Sequence, residues 1–450
     1  MSEPRAEAKE NEARVRAWLE ANLGRVTSLE RQGRWRPVWF ADVERGSERL
    51  ALCVRGDRVD MPLVFPLAHE MRLQALLHEH GIPVAKVYGL IEQPLAYVMD
   101  RVPGRNDFAG VSEAERRAAV DDYLRVLARI HALDVRPFAE AGILCGASPA
   151  DSSTHGMSRY EGVYRATKNG PEPFMEFCLG WLRRNPPISE GRESVIVWDS
   201  GQFHHTNGRI AAVLDLEIGH IGDPMMDLAA WRMRDTVLGF GDFRQLYARY
   251  EELSGKPVDL PALMRHHFAF TLTNQLVFGA SLRQPPPETD LMTNSQWCCE
   301  TNLFATEALA EILGAPLPSV ETLAPRESRG SVAIAHLAQN LASLPTEDEF
   351  TRYKLRTLFR LARHVARTGE IGEESSRADL DDLHELLGRR PASWREGEAE
   401  LERFVQGGAA EGRHDVALVQ LFHKRNLRAQ RLLGPAGSAM ARHLPIQKFA

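Results

Sequence analysis

Hydrophobic and polar positions divide the chain into three stretches of different period. In the first, residues 12–23 pattern as an amphipathic helix, and 25–32, 36–44 and 48–56 (RVTSLERQ, RPVWFADVE, ERLALCVRG) read as strands separated by turns. The third strand alternates through Leu50, Leu52 and Val54 and ends on Arg55. A loop from Asp57 to Pro66 leads to a helix over about 67–80, with Leu73, Leu76 and Leu77 on its buried side and Gly81 as its stop. Two more strands follow, VAKVYGLIE and, across Gln93-Pro94, LAYVMDRV. The period then becomes helical. Ser112 and Glu115 can form a capping box for a helix whose buried face carries Val120, Tyr123, Leu124, Leu127 and Ile130. Further helices are expected at 172–184, 225–235, 241–254, 260–283 and 292–313, and after the Pro-bearing linker APLPSVETLAPRES only helices remain. Among them, Thr346 and Glu349 can cap a helix carrying Phe350, Tyr353, Leu358, Leu361 and Val365. The expected division is therefore 1–102, a small α+β lobe; 103–314, a mainly helical lobe; and 330–450, a separate all-helical extension.

One stretch interrupts the helical lobe. From Val195 to Leu228 an apolar run, VIVW, ends on Asp199, so that a strand delivers a carboxylate to its own end. Asn207-Gly208 between short apolar runs favours the two-residue turn of a hairpin pairing 202–206 with 209–214, which brings Gln202 near Asp215. Asp215-Leu216-Glu217, read as extended, aims two acids at one spot. Two carboxylates and an amide oxygen form a hard-oxygen set suited to Mg²⁺. Asp199 is placed to act as a general base toward a hydroxyl. Asp227, ahead of LAAW, is expected to bind backbone amides, a structural role.

Composition excludes several classes. With 44% hydrophobic and 26% charged residues this is an ordinary globular chain. No apolar run reaches the ~18 residues of a membrane span, and the polar N-terminus has no signal-like core, so a cytoplasmic location is expected. Five cysteines without a CxxC spacing suggest neither a disulfide framework nor a zinc site, and Cys298-Cys299 read as buried packing. A net charge of −6 leaves no footprint for nucleic acid. The basic helix near 352–367 reads as a solvated face, with an anionic ligand or partner as the alternative. His204-His205 would point to opposite faces of a strand and so would not share a metal. A homodimer stays open.

Taken in order, these residues resemble the aminoglycoside phosphotransferase family of kinase-like enzymes, in particular the branch found with acyl-CoA dehydrogenases, over roughly residues 25–313. The family pattern is H-G-D-x-x-x-x-N, then D-x-E or D-x-D about thirteen residues later, then G-D-P-x-x-D-L-A. Gln202 lies thirteen residues before Asp215, and the run from Gly222 to Ala229 matches the last element fully. The resemblance implies a two-lobed, protein-kinase-like α+β fold, here with an additional C-terminal all-α domain, and the use of ATP and Mg²⁺. Asp199 falls at the catalytic aspartate, Gln202 at the metal-binding Asn, Asp215 at the principal Mg²⁺ aspartate and Glu217 at the second acid. Arg55 falls at the strand Lys or Arg and Glu70 at its helix partner. Tyr97 to Val102, and within it Met99, Asp100, Arg101 and Val102, falls at the hinge that meets adenine. Two departures stand out: Val197-Trp198 replaces His-Gly, and Asp199 and Gln202 are three apart where the family has five. The expected activity is transfer of the γ-phosphoryl group to a hydroxyl of a small molecule, a hydroxyacyl or other hydroxylated metabolite. The alternatives are an inactive kinase-like binding or scaffold protein, which the short loop would suit, and an antibiotic kinase. Against the last, residues 262–287, expected to line the cleft, carry only Arg265 and Arg283 as full charges, where a polycationic antibiotic would want acids.

Overall fold

The computed structural model describes residues 3–449 apart from 35, 59–62, 190, 288, 409–410 and 435–442; the expected loop 57–66 therefore lies partly outside the described residues. The first lobe runs α1 (Glu3–Asn22), β1 (Arg25–Arg31), β2 (Val38–Arg45), β3 (Glu48–Gly56), α2 (Leu67–Glu79), β4 (Val87–Glu92) and β5 (Leu95–Asp100). Its five strands form one antiparallel sheet in the order β1-β2-β3-β5-β4. The register follows the alternation read from sequence. Leu50, Leu52 and Val54 of β3 face a core with Trp39, Ala41 and Val43 of β2, Ala96 and Val98 of β5, and Val15 and Leu19 of α1. Arg55, one step on, points to the opposite side of the pleat. Helix α2 joins the lobes, because Leu73 and Leu77 are buried in the core of the second lobe while Glu70 and Gln74 turn toward Tyr97 of the sheet.

The second lobe contains α3 (Glu113–His131), α4 (Arg136–Glu140), α5 (Pro149–Thr167), α6 (Pro173–Arg184), β6 (Ser194–Ile196), β7 (Phe203–Thr206), β8 (Arg209–Val213), β9 (His220–Gly222), α7 (Pro224–Leu238), α8 (Phe243–Ser254), α9 (Leu260–Thr271), α10 (Thr273–Arg283) and α11 (Leu291–Leu313). Ser112 caps α3 as expected, accepting from the Glu115 N–H at 3.2 Å. The hairpin β7–β8 forms on Asn207 (φ 52°) and Gly208 (φ 73°), the left-handed pair its sequence favours. Helix α5 has no counterpart in the sequence reading. Its opening residues, PADSSTHG, are polar although Ser152, Ser153 and Gly156 are buried, and Met157, Tyr160 and Tyr164 are its buried large apolar side chains. The single helix expected at 260–283 is broken at Leu272 into α9, which packs against α7 in the core, and α10.

The C-terminal helices are α12 (Ser331–Ser343), α13 (Glu349–Leu387), α14 (Trp394–Gly408) and α15 (Asp415–Leu433). Leu383 of α13, Leu401 and Val405 of α14 and Phe422 of α15 lie in one apolar core with Met175, Phe177 and Trp181 of α6 and Phe304 of α11. Asp348 caps α13, accepting from the Thr351 N–H at 2.7 Å, while Thr346 accepts from the Asp348 N–H; the cap expected from Thr346 and Glu349 is thus shifted. Leu358 and Val365 face solvent, each 47% exposed, because the long helix presents Ala362 and Ile371 to its neighbours instead. The first turn of α13 also lies against the β1–β2 turn at Gly33, with the Arg31 guanidinium stacked 4.1 Å over the Phe350 ring. Tyr353 donates to Asp290 at the start of α11 at 2.6 Å, so one helix end holds both lobes.

The chain end returns to the second lobe. His443 sits between Glu300 (3.1 Å) and Glu307 (2.6 Å), Ile446 is buried, and the Phe449 ring lies 4.1 Å beneath the buried Arg232 guanidinium. Burial opposes the charged imidazole, but hydrogen bonds to Glu300 and Glu307 outweigh it and raise its pKa from 6.5 to about 9. A raised folded pKa contributes stability that is complete below pH ~6.5 and lost as pH climbs through about 9. The contribution is on the order of 2 kcal/mol after allowance for partial solvent screening. His443→Gln should flatten the fall in denaturation midpoint between pH 6.5 and 9 expected for the parent; equal slopes in both proteins would refute the assignment.

Candidate active site

Strand β6 pairs with β9 and ends at Ile196, leaving Val197 and Trp198 to carry the chain to Asp199. The backbone is held there from helix α7. Asp223 caps that helix through the Met225 N–H (2.8 Å), and Asp227, one turn inside it and fully buried, accepts from the N–H groups of Val197 (3.1 Å) and Trp198 (2.5 Å) and contacts His131 Nε2 at 2.9 Å. Asp227 thus binds backbone amides as the sequence suggested, but those of the loop above it. Trp198 takes the left-handed conformation (φ 57°), which costs a bulky residue about 1–2 kcal/mol and occupies the position where the family pattern has glycine. Its ring is buried edge-on against Tyr160 (5.5 Å) and His220 (5.2 Å).

Four carboxylates meet four arginines beyond this loop. Gln202 Nε2 donates to Asp199 Oδ2 at 2.8 Å and to Asp215 Oδ2 at 3.1 Å, so the hairpin does bring Gln202 to Asp215. Arg55 forms an ion pair with Glu70 at 2.8 Å and donates to Asp215 Oδ1 at 2.6 Å, which joins the strand, the helix and the acid loop. The Asp215-Leu216-Glu217 segment is not extended: Asp215 has φ 58°, and no strand covers it, so the alternation rule does not apply. Glu217 instead turns to Arg36 (2.5 Å) and shares Arg55 at 3.4 Å. Burial opposes the Asp215 carboxylate, but Arg55, Arg36 and Arg234 together hold its pKa below the usual range. Burial and then the Asp215 charge push Glu217 up against the pull of Arg36 and Arg55.

Three arginines here were not singled out from sequence. Arg36 is 3% exposed and donates to Gly56 O (2.7 Å), Glu217 and Glu70 (3.0 Å). Arg58 lies 3.9 Å from Glu217 and 5.2 Å over the Phe278 ring, which brings α10 to the cleft. Arg234 of α7 donates to Asp199 Oδ1. A signal existed only for Arg234, which follows Asp227 by seven residues and so shares its helix face.

At the expected hinge, the Asp100 and Arg101 N–H groups are taken by Lys86 O (3.0 Å) and Ala51 O (2.9 Å). The Met99 sulfur accepts from Gln74 (3.3 Å), the Asp100 carboxylate from Tyr88 (2.8 Å), and Arg101 pairs with Asp42 (2.7 Å). Val102 O lies 3.2 Å from His204 Nδ1, and His205 turns the other way to Asp107 O (3.0 Å), as opposite strand faces require.

The donor set fits a magnesium ion. Two acid oxygens, from Asp199 and Asp215, converge on the single point where the Gln202 amide nitrogen sits. A half-turn of that amide would present its oxygen beside them. Among the described residues no three His, Cys, Asp or Glu side chains group as a metal cage. Mg²⁺ does not need one, because it is commonly bound by one or two carboxylates together with substrate phosphates and water. The described helices include none long and apolar enough to cross a membrane.

The sequence profile of the phosphotransferase enzyme family, APH, matches residues 38–264. Among curated proteins, acyl-CoA dehydrogenase family member 11 of Mus musculus is 31% identical over 212 residues, covering 44% of this chain and 27% of that protein. The Homo sapiens protein of the same name is 28% identical over 212 residues, 44% of this chain and 26% of its own. Family member 10 of Mus musculus is 24% identical over 209 residues, 44% and 19%. The match therefore spans about a fifth to a quarter of the length of these relatives. Of solved structures, choline kinase from Streptococcus pneumoniae superposes with a TM-score of 0.47 at 16% identity, covering 66% of this chain and 98% of that one. Macrolide 2′-phosphotransferase from Brachybacterium faecium gives 0.44 at 19%, covering 62% and 94%. With the profile matched over half of its length, the chain belongs to the phosphotransferase enzyme family.

Proposed function

We propose that this chain is an ATP- and Mg²⁺-dependent phosphotransferase that moves the γ-phosphoryl group of ATP to a hydroxyl of a small molecule and works in the cytoplasm. The observation that carries the reading is the convergence of Asp199, Gln202 and Asp215 on one point beside an Arg55 fixed by Glu70. Asp215 and Gln202 would hold the metal, whose charge, when bound, offsets that of the phosphate oxygens. Arg55 offers a planar donor fork to phosphate, and Glu70 fixes its direction. Asp199 orients the acceptor hydroxyl and takes its proton as the new O–P bond forms and the bond to the ADP leaving oxygen breaks. The Val102 region is the adenine-facing edge. Relatives named for acyl-CoA dehydrogenases support a hydroxyacyl compound as acceptor.

The test is a thermal shift with MgATP followed by ADP release over a panel of hydroxylated metabolites, acyl-CoAs and antibiotics. Stabilisation by millimolar MgATP and turnover with one acceptor class are expected, and Asp215→Ala should weaken nucleotide binding about tenfold or more, or ~1.4 kcal/mol. Absence of both shift and ADP release overturns the reading. It would favour a nucleotide-free scaffold on the same fold, for which the short loop speaks.

A further inference from the structure

We infer that Arg234 is the positioning residue for Asp199, a helix-borne replacement for the support that the shortened loop cannot give its own carboxylate. The inference rests on the phosphotransferase reading for its kinetic consequence and on geometry for the rest. Both oxygens of Asp199 are held from outside the loop backbone: Oδ1 by the Arg234 guanidinium and Oδ2 by Gln202 at 2.8 Å. Between Asp199 and Gln202 the chain has only Ser200 and Gly201. The Ser200 hydroxyl donates to the Asp227 carbonyl, and the Gly201 N–H donates to the Tyr123 hydroxyl at 2.6 Å, so neither is free to hold the acid.

Gly201 makes the arrangement sterically feasible. It adopts φ 87°, and a Cβ there would stand 2.7 Å from the Trp231 ring and 3.3 Å from Arg234 Cγ. The Arg234 stem therefore runs directly beneath the loop. Helix α7 thus fixes the loop twice from one face: Asp227 holds the backbone at Val197 and Trp198, and Arg234, seven residues later, holds the carboxylate. Such a guanidinium contact has a defined direction and a planar donor fork, which a lysine would supply only as a point charge.

The test compares Arg234→Ala and Arg234→Lys with the parent. The first readout is amide hydrogen exchange over 199–203, which needs no turnover. Faster exchange there in Arg234→Ala, with exchange at 197–198 retained, is expected; unchanged exchange at 199–203 overturns the inference. The second readout is ADP release from MgATP with water as acceptor. Arg234→Ala should lower kcat about 10²-fold, the usual consequence of an ångström-scale misplacement, with KM for ATP within threefold. Added guanidinium ion should restore part of kcat, and Arg234→Lys should fall between. A parent-like kcat in Arg234→Ala, or a loss that guanidinium does not relieve while KM rises equally, overturns the inference. A parent protein with neither a MgATP thermal shift nor ADP release with any acceptor of the panel refutes the phosphotransferase reading, and the exchange result then decides the positioning role alone.

Discussion

Asp199→Asn should lower kcat for phosphoryl transfer by roughly 10²–10⁴-fold, the usual worth of a positioned general base, while leaving MgATP affinity within about threefold. The expectation follows from what the substitution spares. Asn has the same shape, so its oxygen can still accept from Arg234, and its amide can face a Gln202 that turns its own oxygen inward. Arg55, Glu70, Asp215 and Glu217 are untouched and remain paired as they are. What is removed is the ability to take a proton and the negative charge that faces Arg234. Steady-state ADP release together with nucleotide titration by calorimetry separates the two quantities. Parent-like turnover in Asp199→Asn would remove Asp199 from the chemistry, and a matching loss of affinity would mean that it holds nucleotide instead.

The second large effect is one of stability. Asp227→Ala should cost about 3–5 kcal/mol, because it strips three partners at once from a carboxylate with no solvent exposure. The N–H groups of Val197 and Trp198 and the ring of His131 lose their acceptor. Each buried donor left unpaired costs ~1–3 kcal/mol. Trp198 loses in addition the contact that keeps it left-handed. Asp227→Asn should be milder, since its oxygen can keep one N–H while its amide faces His131. Urea denaturation of the three proteins measures the difference. A midpoint for Asp227→Ala equal to that of the parent would show that the loop is held elsewhere.

Much of this site was legible in the sequence because its signals are local. The alternation of Leu50, Leu52 and Val54 placed Arg55 on the other side of β3, and Asn207-Gly208 fixed the hairpin that sets Gln202 against Asp215. Arg55 and Glu70 are separated by one loop and a helical turn, close enough for spacing to suggest their pair. The D-x-E segment misled because period-two reasoning assumes extended backbone, and the left-handed Asp215 breaks it. Arg36 and Glu217 lie 181 positions apart, and no periodicity connects them.

By itself, then, the sequence determined the strands of the first lobe, the hairpin, the Ser112 cap and the acids of the candidate site, since each depends on neighbours within a turn or a pleat. Only the tertiary structure decided how those acids are neutralised and held. It set Arg36 on Glu217, Arg234 on Asp199 and Asp227 under the loop. It also seated the first turn of α13 on the Gly33 turn and merged the last helices with the core of the second lobe. These contacts join residues from distant elements, and their energy comes from removing charges and apolar surface from water together, a property of packing that no local pattern encodes.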